Sequence, residues 1–510
     1  MSQTTMTSVS GVTYAQAEDG YFEKRGLVRS AGFWGLTGIG VAAVISGDFS
    51  GWNGGIGTAG WGGFLVATAL VTVMYFGMLF SIGEMSAAMP HTGGAYSFAR
   101  AAMGPWGGFV TGLAESVEYV MTTGVVVYFS GQYADSIART LFGASLPVWA
   151  WWIVIYGVFL ALNTFGAATS FRFAIVVSII SLAVLAIFGI AALASSNLDL
   201  GKLFDIAPDA GQNTFLPHGI SGVFFALPFA MWLFLGIEEL PLAAEESHTP
   251  TKDIPRAGFW GMVTLVISGL VVVVLNPAVT GAKALSGSGE PLLDGFRAIL
   301  PNSHIAAVLS AFALVGLLAS TQGIMYAYGR NIYSLSRAGY YPKFLSLTGT
   351  RKTPWAALLM GALIGFAALF VVQYGVAAAG SVVLNIAVWG AVIAYVLQMV
   401  SFVLLRRKFP NAARPYVSPT GIAGAVVAGL LAAMIFVGVM LNPDYRLAII
   451  AIAVVFAIGL GTFAVYGRTR LILSPEEEYA LNGGLHGEGH DERPGDAPEL
   501  DQELDSMLAH

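Results

Sequence analysis

The stretch VISGDFSGWNGG, Val44 to Gly55, lies inside the first long apolar run of the chain, residues 31–56. It holds four glycines, two serines and an aspartate. Glycine weakens a helix interior, serine competes for backbone hydrogen bonds, and a carboxylate is costly in hydrocarbon. Two readings follow. The glycines let helices pack closely, or the helix opens here because freed backbone groups line a polar cavity. A second stretch decides between them. FFALPFAMWLFLGIEELP, Phe224 to Pro241, carries Pro228, Gly236, Glu238, Glu239 and Pro241 inside the sixth apolar run. One broken span would favour close packing, whereas two favour a cavity.

The setting is a membrane. Of 510 residues, 56% are hydrophobic and only 11% charged, against about 25% charged in soluble domains. Twelve apolar segments are expected to cross the bilayer as helices: 31–56, 62–88, 106–134, 147–165, 171–194, 216–240, 257–280, 304–334, 355–375, 381–406, 420–441 and 446–467. The fold class is therefore an all-α membrane protein. The first apolar run leads into a span rather than a cleavage site, so no signal peptide is expected. Cysteine is absent, which excludes disulfide and thiol chemistry. With the N-terminus inside, 19 of the 24 lysines and arginines fall in internal segments and 5 in external ones. Both termini are thus expected in the cytoplasm of a multi-pass inner-membrane protein. From Pro475 onward the chain holds 11 of the 30 acidic residues and one arginine. That tail reads as a solvated, loosely attached cytoplasmic extension, with a regulatory role as the alternative.

The broken segments are the first and the sixth, five spans apart. Discontinuous helices at corresponding positions of two halves are the mark of secondary transporters with inverted repeats, whose substrate site lies between the breaks.

The stretch GEMSAAMPHTGGAYSFARAAMGPWGGFVTG, Gly83 to Gly112, resembles the amino acid–polyamine–organocation (APC) superfamily through Glu84, Pro90, Gly93, Gly94, Tyr96, Gly104 and Pro105. EESHTPTKDIPRA after the sixth span is similar to that superfamily's acidic linker, and GRNIYSLSRAGYYPKFL to its signature after the eighth, through Arg330, Arg337, Gly339 and Pro342. The resemblance implies a LeuT-type fold, a five-plus-five inverted repeat with two extra helices. Its expected organisation is an N-terminal segment 1–30, a first repeat 31–200, a second repeat 201–415, two helices within 416–470 and a tail 471–510. GVAAVISGDFSGWNGGI is similar to the ethanolamine permease subfamily.

In related permeases a Gly/Ser-rich break in the first helix holds the substrate carboxylate with free amides, and carbonyls at the sixth-helix break hold the amine. Aligned through Ala59 and Gly60, the first break is Ser46-Gly47-Asp48. Asp48 stands where that pattern has a small residue. Two like charges 4 Å apart repel by about 4 kcal/mol at an effective dielectric of 20, half of a micromolar affinity of about 8 kcal/mol. Asp48 therefore disfavours an amino acid and attracts an amine without a carboxylate, such as ethanolamine. Its bland role is to cap the second half-helix. Trp232 resembles the gating aromatic of related antiporters and suits cation–π contact, with ordinary packing as the alternative. Phe234 and Gly236 complete the second break, and Glu238 just beyond it is an ionisable group at membrane depth. Glu115 and Glu118 share a face of the third span, with Tyr119 beside them; they hold the amine, carry a proton, or bond another helix.

Coupling is expected to use protons, through Asp48, Glu115, Glu118 or Glu238. The helix-5 lysine of some proton-coupled relatives is replaced here by Ser181. Sodium is the alternative, with Ser320, Thr321 and Ser181 as hydroxyl ligands. No metal cluster, Walker A motif or dinucleotide fingerprint is present, so neither a cofactor nor enzymatic activity is expected. The partners are a small amine and the bilayer, without nucleic acid, and nothing in the sequence sets an oligomeric state. An amino acid or polyamine permease is the nearer alternative, and a channel or a transporter-like receptor the remoter ones.

Overall fold

The computed structural model of the chain describes residues 7–9, 11–15, 17–300, 303–375 and 379–482. Its helices, in chain order, are α1 Phe33–Val44, α2 Ser46–Phe49, α3 Gly54–Ala88, α4 Gly94–Phe142, α5 Val148–Thr164, α6 Ala167–Ala194, α7 Gly219–Trp232 and α8 Pro250–Thr280. They continue with α9 Ala282–Ser286, α10 Pro291–Ile299, α11 Ser303–Arg337, α12 Trp355–Gly375, α13 Ala379–Lys408, α14 Gly421–Leu441, α15 Arg446–Val465 and α16 Pro475–Asn482. Among the described residues nine helices are long and apolar enough to span a membrane, and Phe33–Phe49 and Val148–Thr164 are shorter apolar helices. In hydrocarbon every backbone polar group needs an internal partner, which is why these runs are helical. The expected third segment, 106–134, lies within α4, which bends at Gly104 before Pro105. Helix α3 turns at Gly60, so its first residues belong to the first span and the rest to the second.

The main core is an apolar cluster in which α4 packs along α11 and α13, and α3 along α7 and α8, and a smaller second cluster gathers Tyr14, Tyr96, Phe109, Tyr340, Phe463 and Leu471. The outer helices turn apolar side chains outward: Ile190, Leu430 and Ile458 are all more than 60% exposed. Such surface is stable only against lipid or another apolar partner.

The end of the bundle that carries the first and last described residues holds a small sheet. Strands β1 Thr7–Val9 and β2 Val12–Ala15 pair antiparallel, and β2 pairs in parallel with β3 Leu471–Ile472. Helix α16 follows at once, and here the expectation of a loosely attached tail from Pro475 is corrected. Glu476 and Glu477 are fully buried. Glu477 accepts hydrogen bonds from Arg100 Nε (2.7 Å), Tyr14 (2.7 Å), Tyr96 (2.9 Å) and Tyr340 (2.9 Å). Glu476 pairs with Arg337 (2.6 Å) and Ser334 (2.6 Å). Burial alone would raise the Glu476 carboxyl, but Arg337 overrides burial and holds it down at about 2. The acidic run at 476–478 looks like solvated tail by composition, yet two of its charges meet buried arginines. The rest of that tail, including His486 and His490, lies outside the described residues.

Candidate functional site

Spans one and six are both interrupted, and the interruptions touch. In the first span the helical ladder loosens at Ile45. The Ser46 amide donates to Ser320 Oγ (2.9 Å), whose hydroxyl in turn donates to the Ala42 carbonyl (2.7 Å). One hydroxyl from α11 thus replaces the Ala42–Ser46 helical bond. Ser46 to Phe49 then form one more helical turn, α2. The chain leaves the helix only at Ser50 (φ −161°, ψ 158°) and Gly51 (φ 90°). This corrects the expected break at Ser46-Gly47-Asp48: the Ser320 bridge lets the helix run one turn further, and the extended residues are Ser50 and Gly51. A positive φ at Gly51 is ready for glycine and strained for other residues.

In the sixth span α7 ends at Trp232, and Leu233 to Gly236 form a turn before a 3₁₀ helix, Ile237–Glu246. Gly236 has φ 113°. Trp232 Nε1 donates to the Ser50 carbonyl (2.8 Å), tying the two breaks together. A side chain on Gly47 would stand 2.7 Å from the Trp232 carbonyl oxygen, so glycine is what lets α2 lie against the second break.

The structure divides the expected acidic residues into two centres. Asp48 is 1% exposed, and neither of its carboxylate oxygens has a hydrogen-bond partner. It caps nothing, so the capping role does not apply. It faces α8, where the Ser268 hydroxyl adjoins it but donates to the Leu265 carbonyl (3.2 Å). Burying a charged or polar group without a partner is costly.

The second centre lies where α4 meets the sixth-span break. Glu115 accepts from Asn331 (3.0 Å) and Tyr119 (3.3 Å), which ties α4 to α11 as the bland reading of Glu115 required. Glu118 accepts from Tyr395 (3.2 Å) through one oxygen, while its other oxygen has no partner. Glu238 accepts from the Gly236 amide (3.1 Å) and adjoins Glu118; its second oxygen is also unpartnered, as are both of Glu239. Tyr75 joins Tyr395 (3.3 Å) and meets Phe234 edge-on, with ring centroids 5.7 Å apart. Tyr119, Trp232 and Phe234 are all buried.

The hydroxyls considered for sodium all donate to backbone carbonyls: Ser181 to Val177 (2.6 Å), Thr321 to Leu317 (3.3 Å) and Ser320 to Ala42.

Both ends of the site are closed. At the end remote from the termini, Asn53 donates to the Leu285 and Ser288 carbonyls (2.8 Å each), holding the α9–α10 segment over the first break. Tyr133 donates to the Phe49 carbonyl (2.8 Å). At the opposite end Arg330 and Glu246 form a fully buried ion pair (2.9 Å), and Arg337 bridges Glu245 (2.5 Å) to Glu476. Sequence reasoning noted these arginines and the acidic linker only as signature residues. Their pairing was hinted at by the seven-residue spacing of two arginines on one face of α11 opposite two adjacent glutamates. Ser268, Asn331, Tyr75 and Tyr395 carried no such signal.

The sequence pattern that defines amino acid permeases matches residues 35–471. An uncharacterised transporter of Rhizobium meliloti is 26% identical over 83% of this chain and 89% of its own length. A probable GABA permease of Pseudomonas aeruginosa is 26% identical over 87% of this chain and 93% of its own. Among solved structures, MHP1, a nucleobase-cation-symport-1 family transporter in a closed conformation with bromovinylhydantoin bound, superposes with a TM-score of 0.50. The match covers 90% of this chain and 99% of MHP1 at 14% identity, a likeness of fold alone.

Proposed function

The chain belongs to the amino acid permease family, a multi-pass membrane transporter rather than an enzyme, and from that premise we propose that its cargo is a small cationic amine lacking a carboxylate, ethanolamine being the best fit. One observation carries the reading: Asp48 is buried beside the meeting point of the two broken spans with both carboxylate oxygens unpartnered. An ammonium would supply the missing donors, whereas an amino acid carboxylate would be repelled by about 4 kcal/mol at 4 Å. The Ser46 amide, one of the donors that would hold a substrate carboxylate in related permeases, is already taken by Ser320.

The touching breaks of spans one and six support a five-plus-five inverted repeat that rocks around a fixed midplane site. The lysine and arginine asymmetry supports termini in the cytoplasm of the inner membrane, so the α9–α10 segment closes the external side and the Arg330–Glu246 pair the cytoplasmic side. Import is proton-coupled on this reading. The unpartnered oxygens of Glu118, Glu238 and Glu239 form a carboxyl array that can pass a proton as the helices move.

A second reading, an amino acid permease, is favoured by relatives such as the histidine permease of Lactococcus lactis, 27% identical over 63% of this chain. Uptake of labelled ethanolamine into proteoliposomes, with proton and sodium gradients imposed separately, tests both. The amine reading expects uptake driven by the proton gradient, resistance to zwitterionic amino acids as competitors, and loss of uptake in Asp48→Asn. Equal competition by zwitterionic amino acids together with an unimpaired Asp48→Asn would overturn it in favour of the second.

A further inference from the structure

We infer that Glu239 is the residue through which a proton controls the cytoplasmic gate: protonated, it leaves Arg330 paired with Glu246, and ionised, it draws Arg330 away and opens that end. The inference rests on the proton-coupled reading above and names the group at which the proton acts on the helices.

The buried Arg330–Glu246 pair leaves one nitrogen of the guanidinium unused. Glu246 accepts from Arg330 Nε (3.1 Å) and Nη2 (2.9 Å) and from the Tyr326 hydroxyl. Arg330 Nη1 has no partner, although the residue is fully buried. Glu239 is 2% exposed, and both of its carboxylate oxygens are equally without partners. A spare donor and a spare acceptor of opposite charge therefore lie buried within range of each other's field, yet share no hydrogen bond. They also stand at a similar depth. Gly236 packs on Ile324 of α11, where an added Cβ would come 2.7 Å from Ile324 Cδ1. From that contact both elements run toward the end where Arg337 meets Glu245. Arg330 lies six residues along α11, roughly 9 Å, and Glu239 three residues along the 3₁₀ helix, roughly 6 Å. Glu246 is a further seven residues on, roughly 14 Å beyond Glu239.

An ionised carboxylate buried without a donor is so costly that the group takes up a proton instead. In this closed state Glu239 thus carries a proton and has no charge with which to claim Arg330. The guanidinium keeps its own proton and stays with Glu246, so the three groups sum to zero charge. When Glu239 passes its proton to water on the cytoplasmic side, one cation faces two carboxylates. Glu239 then competes for the guanidinium, and one negative charge is left uncompensated in the interior. Both effects favour parting of the 3₁₀ helix from α11 and entry of water. The other titratable groups facing Glu239 are Glu238 on its own helix, Tyr119 on α4 and Tyr326 on α11. The two tyrosine hydroxyls donate to Glu115 and Glu246, so neither serves Glu239. Glu238 also faces Glu118, which connects the acidic centre to the gate.

The chain contains no cysteine, so a single one at Ala243, a buried residue of the same 3₁₀ helix, reports opening through its rate of maleimide labelling in full-length, detergent-solubilised protein. Rates are taken relative to the same thiol in denatured protein at each pH, which cancels the thiol's own titration. In the Ala243→Cys parent, labelling should rise with pH, by up to about tenfold per unit for one linked proton. Glu239→Gln, fixed in the neutral form, should be labelled slowly at every pH and should lose proton-driven ethanolamine uptake in proteoliposomes. Glu239→Asp should restore the rise with pH. Glu246→Gln frees Arg330 for Glu239 and should move the rise to lower pH. A parent with no pH dependence, or a Glu239→Gln protein that keeps the parent's profile, overturns the assignment. So does a Glu239→Gln protein labelled fast at every pH, because neutral Glu239 would then not hold the gate shut. A Glu246→Gln protein labelled faster by the same factor at every pH overturns it too, because Arg330 would then open the gate without meeting Glu239. If the assignment fails while a proton gradient still drives uptake by the parent, the coupling reading stands and only Glu239 falls. A parent whose uptake no proton gradient drives refutes both.

Discussion

Replacing Glu477 by alanine should release the C-terminal strap, residues 471–482, from the bundle. Glu477 is completely buried and its partner Arg100 is 4% exposed at the side chain. The substitution removes the sole acidic partner of that guanidinium among the described residues and the acceptor of three tyrosine hydroxyls, Tyr14, Tyr96 and Tyr340. Removing one member of a buried ion pair costs about 3–5 kcal/mol, because the other charge stays desolvated. The hydroxyls can turn toward one another or admit water, so they add less than their separate worth of about 1 kcal/mol each. At 1.4 kcal/mol per tenfold, a loss of about 4 kcal/mol raises the population of the open strap roughly a thousandfold. Cleavage by glutamyl endopeptidase after Glu476 or Glu478, both retained in the variant, reads that population in detergent-solubilised protein when opening is fast relative to cutting. Exchanging both charges, Glu477→Leu with Arg100→Met, should recover much of the protection, since it leaves no unpaired ion. Cleavage rates within tenfold of wild type for Glu477→Ala, or a double variant that is cut faster than the single one, would show that the strap is not held by this pair.

Two more expectations follow from the same geometry. Arg337 holds the Glu476 carboxyl at about 2, below its ordinary value of 4.5, so Glu476 contributes stability that is present in full above about pH 4.5 and is lost as pH falls through 2; the shift corresponds to about 3 kcal/mol. Pepsin digestion across pH 4.5 to 2 should show the strap opening progressively, and Glu476→Gln should remove that acid-dependent step. Trp232→Phe deletes the hydrogen bond from the sixth-span break to the Ser50 carbonyl, worth about 1 kcal/mol. A roughly fivefold rise in KM for the transported amine is expected, and an unchanged KM would mean that this bond does not organise the bound state.

The helical spans and the two interruptions were legible in the sequence because both are local properties. Twenty apolar residues must become a helix in lipid, and a cluster of Gly, Ser, Asp and Pro within such a run must weaken it. The location of the first break was legible only to within a turn. Composition marked the stretch Val44 to Gly55 and alignment with related permeases narrowed it to Ser46-Gly47-Asp48, but Ser320, 274 residues away, bridges Ser46 to Ala42 and moves the extended residues to Ser50 and Gly51.

Asp48 was visible as an anomaly of residue type, since an aspartate at membrane depth needs a reason wherever the fold places it. Whether it stood with the glutamates or apart from them was not visible. Helix periodicity says which residues share a face, not which neighbour that face meets. Tertiary packing alone set Asp48 toward Gly269 of α8 and gathered Glu118 and Glu238 beside Tyr395. The strap shows the same limit in reverse. The sequence by itself determined a membrane helix bundle with two opened helices and a carboxylate near one of them, because those follow from the cost of polar groups in hydrocarbon. Which charges end buried and paired, as Glu476 and Glu477 do, and which are left waiting for a partner, as Asp48 is, depended on contacts between residues hundreds of positions apart that no local pattern encodes.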